Sequence, residues 1–131
     1  MNYRVAESPD DYQECHTLMQ MEGWDKSELT FPTVMAHDES EALVGFVATT
    51  PRDDMILAGP LVMRQDKRRP WTFMRLVGYY ENAMRHMGVR SFIFSVDTSK
   101  SAFFLKTLKK YVEEMQPYAG DGSKLFYVRN L

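Results

Sequence analysis

The chain is 131 residues long, 44% hydrophobic and 26% charged, with a formal net charge of −2. That length supports one domain over residues 1–131 with a core of its own, and the near-neutral balance excludes a global polycation for nucleic acid, leaving basic function only local. A lone cysteine, Cys15, excludes an internal disulfide and fits a reducing cytoplasm; the opening MNYRVAESPDD lacks a signal's apolar stretch, and no apolar run reaches a membrane-spanning length.

Residues 2–6 read as a short first strand. SPDDYQECHTLMQMEG then starts a helix, with Ser8 as N-cap, Pro9 at the first helical position, and Asp10 and Asp11 complementing the dipole. Tyr12, Cys15 and Met19 form its apolar stripe, which makes Cys15 a small core residue, and Gly23 ends it. Residues 24–32 connect onward, with one helical turn expected after Ser27. TVMAHDESEALVGFVATT reads as a hairpin, strands near 33–37 and 42–49 joined by the polar DESE. The next strand is DDMILAGPLVM, where Gly59-Pro60 predicts a bulge or bend.

Pro70 opens a second helix. Phe73, Val77, Tyr80, Met84 and Met87 recur on one face at spacings of four and three, and Gly88 follows as the stop. Tyr79 and Tyr80 cannot both face the core. SFIFSV is a continuous apolar strand of the kind buried on both faces. Ser99 or Ser101 then caps a helix running through Phe104 to Leu108; Phe92, Phe94, Phe103 and Phe104 read as core. Residues 111–117 are read as a strand, with the turn AGDGS leading into KLFYVR as a closing hairpin. The order is therefore β, α, β, β, β, α, β, α, β, β: a mixed, mostly antiparallel α/β sheet with helices on both faces.

The chemically suggestive stretch is LVMRQDKRRPWTFMRL, residues 61–76, which runs strand, basic loop, helix start. Backbone N–H groups at a helix N-terminus favour anions, and Arg64, Lys67, Arg68 and Arg69 sit just before one. The loop reads as a solvated surface turn, an anion site, or a protein or nucleic-acid contact beside Trp71. Nucleic acid is disfavoured because the rest of the chain is not basic. His16, His37 and His86 have neither i, i+4 spacing nor a cysteine partner, so no metal site is expected. The ten methionines suit irregular cores and adaptable interfaces alike and decide nothing.

This order, with the apolar-Gly-apolar centre Val44-Gly45-Phe46 in ALVGFVATT, resembles the GNAT superfamily of acyl-CoA N-acyltransferases over nearly the whole chain. The run SVDTSKSAFFLKTL is similar to the degenerate GNAT-like proteins of tailed bacteriophages, some of them internal virion components. The resemblance implies a GNAT-like domain, acetyl-CoA as cofactor and an amine as acceptor. It places the pantetheine along the backbone of Leu61, Val62 and Met63, with Lys67, Arg68, Arg69 and the Thr72 hydroxyl toward the phosphates. The family's phosphate loop, Q/R-x-x-G-x-G/A, matches at Arg68, but its two small positions fall on Trp71 and Phe73, and no Gly or Ala lies between 60 and 77. The position of the family's catalytic Tyr falls on Leu105, no Asn occurs in 97–110, and Tyr111 lies too far on. Asp53 and Asp54, where some relatives place a carboxylate, read equally as solvated turn residues. No catalytic residue is assigned.

Two functions remain open. One is a divergent acyl-CoA-dependent N-acyltransferase, in the cytoplasm of a bacterium or an infected host. The other is a protein that keeps the fold, has lost acetyl-CoA, and acts by contact with a protein partner, in a virion or on a host protein. Coenzyme A affinity is expected to be weak or absent.

Overall fold

A computed structural model describes residues 1–51, 56–97, 116–120 and 124–131. In chain order the elements are β1 (Asn2–Val5), α1 (Pro9–Met21), β2 (Thr30–His37), β3 (Leu43–Thr50), β4 (Leu57–Met63), a single 3-10 turn (Gln65–Lys67), α2 (Pro70–His86), β5 (Ser91–Asp97), β6 (Gln116–Gly120) and β7 (Lys124–Asn130). The strands form a seven-stranded sheet in the order β1-β2-β3-β4-β5-β7-β6. Every neighbouring pair is antiparallel except β4–β5. The mixed, mostly antiparallel sheet read from the sequence is the one observed.

Side-chain alternation along the strands sends successive residues to opposite faces. Val34 and Ala36 of β2 join the core under α2, whereas Met35 between them joins the core under α1. The two helices therefore cover opposite faces, α1 over β3 and β4 and α2 over β2 and β3. α1 begins as its sequence dictates. The Ser8 hydroxyl accepts the Asp11 N–H, the Asp11 carboxylate accepts the Ser8 N–H, and Pro9 occupies the first turn. The helix buries Cys15, Leu18 and Met19, and Gly23 at φ 75° turns the chain away.

Several boundaries differ from the sequence reading. β2 starts at Thr30, ahead of Pro32, because Thr30 pairs with Thr49 before an irregularity absorbs the proline. Residues 24–29 make no helical turn; Trp24 and Leu29 both pack on the α1-side core, which draws the connection out between them. On α2, Met87 is 48% exposed while Leu76, outside the expected stripe, is fully buried. Met87 is the C-cap, one residue past the last turn, so it no longer lies over the sheet. Leu76 fills that face instead, a burial of the kind that contributes about 2 kcal/mol. Tyr80 is the buried tyrosine of its pair, and Tyr79 lies outside, stacked on Tyr3 at 5.0 Å.

The closing hairpin is present, with β6 pairing β7, but Ala119 and Gly120 belong to β6 rather than to the turn. The helix read over 99–108, the strand residues 111–115 and the turn residues 121–123 lie outside the described residues, as do Asp53, Asp54, Leu105 and Tyr111.

Candidate functional site

The site is created by one irregular strand. Val47 of β3 pairs with Leu61 and Thr49 with Ala58, so two residues, Gly59 and Pro60, stand opposite Ala48 alone. This is the bulge expected at Gly59-Pro60. Gly59 adopts φ 122°, a region closed to other residue types, and the Thr50 hydroxyl donates to its carbonyl at 2.8 Å. Pro60 has no N–H to offer a neighbour. Before the bulge, β4 is zipped to β5 through Leu57–Ile93 and Ala58–Phe94, with the Ile93 N–H donating to Ile56. After it, among the described residues, 61–63 pair only with β3. The parallel strands part at the bulge.

Alternation tells which backbone groups are left over. The Arg64 N–H donates to the Val44 carbonyl at 2.8 Å, so the hydrogen-bonded positions on that edge are 64 and 62. In an antiparallel ladder the intervening residues, Leu61 and Met63, then turn their N–H and C=O away from β3. Those groups face the gap between β4 and β5. Of the three backbone positions predicted from sequence, Leu61 and Met63 turn toward that gap, and Val62 is turned to its partner Phe46. Close approach holds this edge in place. A Cβ on Gly45 would lie 2.9 Å from both Met63 Cγ and the Val62 carbonyl.

Above the open edge comes the basic loop, and here the structure redistributes the expected charges. Arg64 lies across Asp66, its Nε at 3.2 Å and Nη2 at 2.9 Å from the two carboxylate oxygens. Lys67 faces Asp38, whose carboxyl is held low chiefly by the Ser40 hydroxyl and the Ala42 N–H, with the lysine adding its charge. The Gln65 N–H donates to Glu22 at the end of α1, 2.7 Å away. Arg69 folds back on the Arg68 carbonyl. Arg69 is also the N-cap of α2 and supplies no side-chain cap, and no acid stands in the first turn. The N–H groups of Trp71 and Thr72 fall in that turn, where a helix has no carbonyl for them.

Thr72, expected to present its hydroxyl to a phosphate, is fully buried on the sheet side. Its Oγ1 makes no hydrogen bond of ordinary geometry; the Tyr3 phenol, pushed up by burial, faces it without reaching one. With the whole residue covered, its backbone N–H is buried as well. Phe73 is 4% exposed and packs in the core, and Trp71 is 62% exposed. The two bulky rings in the family's glycine positions thus point one inward and one to solvent.

Other polar groups are committed to structure. Thr49 donates to the Pro32 carbonyl at 2.8 Å, so the Tyr80 hydroxyl, 2.7 Å away, is the donor to Thr49. Burial pushes the Tyr80 phenol well above its ordinary value and the Cys15 thiol up to about 12. Glu81 on α2 binds Arg129 on β7 at 2.8 Å, and His37 meets Glu14 at 2.8 Å. Sequence reasoning missed Glu22, Glu81 and Thr49. No local spacing signals a contact between residues tens of positions apart.

No family model matches the chain, and no curated protein matches it in sequence. Solved structures do. An aminoglycoside 6'-acetyltransferase type Ii superposes with a TM-score of 0.77 at 18% identity, covering 99% of this chain and 97% of that one. The ribosomal-protein-S18-alanine N-acetyltransferase from Escherichia coli gives 0.75 at 10% identity over 98% and 94%. The PaiA N-acetyltransferase from Thermoplasma acidophilum, in complex with coenzyme A, gives 0.69 at 12% identity over 100% of both chains. The chain has the fold of the GNAT N-acetyltransferases.

Proposed function

We propose that the chain binds an acyl-coenzyme A along the open edge of β4 and is an N-acyltransferase with a divergent phosphate loop. The observation that carries this reading is the parting of β4 from β5, which leaves the backbone groups of Leu61 and Met63 without a strand partner among the described residues, on the strand that leads into an uncapped, cationic helix N-terminus. Free strand edges pair with amide-bearing chains, and a pantetheine arm carries two amides of that kind. The helix end suits phosphates through the N–H group of the exposed Trp71 and the side chains of Arg68 and Arg69. The absent glycines matter less than their replacements imply, since Phe73 is turned into the core and Trp71 out to solvent. Known structures of the same fold include one with coenzyme A bound.

The bound thioester would supply an activated acyl group for an acceptor amine. The chain's part is to align the arm on β4 and to neutralise its phosphates. Proton transfer belongs to none of the described groups discussed above. Tyr80 is sealed in the core, Asp11 is held by Arg4 at 2.6 Å, and His37 is buried against Glu14.

Calorimetric titration with acetyl-CoA tests the proposal. Micromolar binding that disappears in an Arg68→Ala/Arg69→Ala variant is expected; absence of heat at high protein concentration contradicts it. The second reading, a scaffold of the phage type acting by protein contact, draws on the exposed Trp71, Met74 and Tyr79 of α2, and a silent titration would favour it.

A further inference from the structure

We infer that Glu22 is a tethered anion that occupies the phosphate loop until a phosphate-bearing ligand displaces it; the inference rests on the acyl-coenzyme A reading above. Three carboxylates from three parts of the chain meet the loop: Asp66 on Arg64, Asp38 near Lys67 and Glu22 on the Gln65 N–H. They are not equivalent. Asp66 lies within the loop and moves with it. Asp38 is fastened in its own turn by Ser40 and Ala42. Of the three, Glu22 is the one that takes a backbone N–H of the loop itself, reaching it from 43 residues away. The Gln65 N–H opens the loop between β4 and α2, and a loop N–H is the kind of donor that a phosphate oxygen uses.

The end of α1 sets this carboxylate in place. The Glu22 N–H bonds back to Leu18 at 3.0 Å, and Gly23 at φ 75° sends the chain off in another direction, leaving the side chain to reach the loop. A charged acceptor on an amide makes a short, strong hydrogen bond, here 2.7 Å. Because it is tethered, it competes at high effective concentration. An incoming diphosphate meets a donor already taken and a negative charge beside it. Glu22 therefore sets the affinity of the loop downward, and it keeps the loop shaped while no ligand is bound.

The test is calorimetric titration of the full chain, Glu22→Gln, Glu22→Ala and Asp10→Asn, each with coenzyme A and separately with inorganic pyrophosphate. Asp10→Asn makes the same charge change at the far end of α1, and melting curves check that each variant is folded. Glu22→Gln is expected to bind both probes about fivefold more tightly, the effect of removing one charge at close range in water. Glu22→Ala should bind at least as tightly as Glu22→Gln, and Asp10→Asn should match the parent. Unchanged or weaker binding by Glu22→Gln overturns the inference while leaving the acyl-coenzyme A reading intact. Equal tightening in Asp10→Asn overturns it too, since net charge would then suffice. Tighter pyrophosphate binding with no response to coenzyme A in any variant keeps the Glu22 role and removes the cofactor. No heat from either probe in any protein overturns both.

Discussion

α1 and α2 each carry a proline in the first turn, yet their N-termini are finished in opposite ways. At α1 the Ser8–Asp11 box satisfies two backbone N–H groups, and Arg4 grips the same Asp11 with two nitrogens at 2.6 and 2.8 Å. At α2 the cap position holds Arg69 without a cap, and the preceding loop is cationic. Positive charge at a helix N-terminus opposes the dipole, so the second end is less stable than the first unless an anion completes it. The contrast separates a helix end built for stability from an uncapped one, which the proposed function assigns to a ligand. β4 repeats the pattern within one strand, zipped to β5 before Gly59 and, among the described residues, without a partner on that edge after it.

Substitutions at four positions test that contrast. Asp11→Ala opens the closed end, and urea unfolding should show a loss of about 2–3 kcal/mol, from the missing cap and an unpaired Arg4. The Arg4 hydrogen bonds hold the Asp11 carboxyl well below the usual carboxylate range. Its stabilisation is therefore complete above the unfolded carboxylate value, about pH 4, and is lost as pH falls toward the depressed folded value. Asp11→Asn should flatten that acid limb.

Gly45→Ala attacks the open region. A methyl 2.9 Å from Met63 Cγ and the Val62 carbonyl must displace β4, at a cost of about 1–3 kcal/mol. Acetyl-CoA affinity should fall with it, as the edge moves. Tyr80→Phe removes the hydroxyl that donates to Thr49, while Thr49 keeps its bond to Pro32. The loss should be about 1 kcal/mol, with cofactor affinity unchanged, because this network belongs to the core. Arg69→Ser has the smallest effect and the most informative sign. A serine at the uncapped position should raise stability by about 0.5–1 kcal/mol, seen as a higher melting point, while weakening acetyl-CoA binding in calorimetry. A single change that strengthens the fold and weakens the ligand is what an end reserved for an anion requires.

Much of this architecture is legible in the sequence because it rests on short-range chemistry. Ser8, Pro9 and Asp11 announce α1, Gly23 and Gly88 mark helix ends at φ 75° and 78°, and Gly59-Pro60 marks the bulge that parts the strands. Cys15 reads as core and is fully buried. Periodicity fails where an element stops, as at Met87, and where proline is taken as a boundary, as at Pro32 inside β2. The site was half legible. The basic loop follows from local pattern and the β4 backbone positions from the family resemblance, but which cations are already neutralised follows from neither. Asp66 beside Arg64 is readable from proximity; Glu22 on Gln65 comes from 43 residues away and has no sequence signature. Thr72 shows the same limit from the other side, since helix phase rather than proximity to the loop decides where its hydroxyl points.

The central claim is that the open β4 edge and the open end of α2 form one acyl-coenzyme A site. Amide NMR of the nitrogen-labelled chain, titrated with coenzyme A, tests it most directly. The largest shifts are expected at the amides of Leu61, Met63 and Trp71, exceeding that of Val62, with the first turn of α1 unmoved. Shifts concentrated at α1, or an unresponsive β4 edge at saturating coenzyme A, would contradict it.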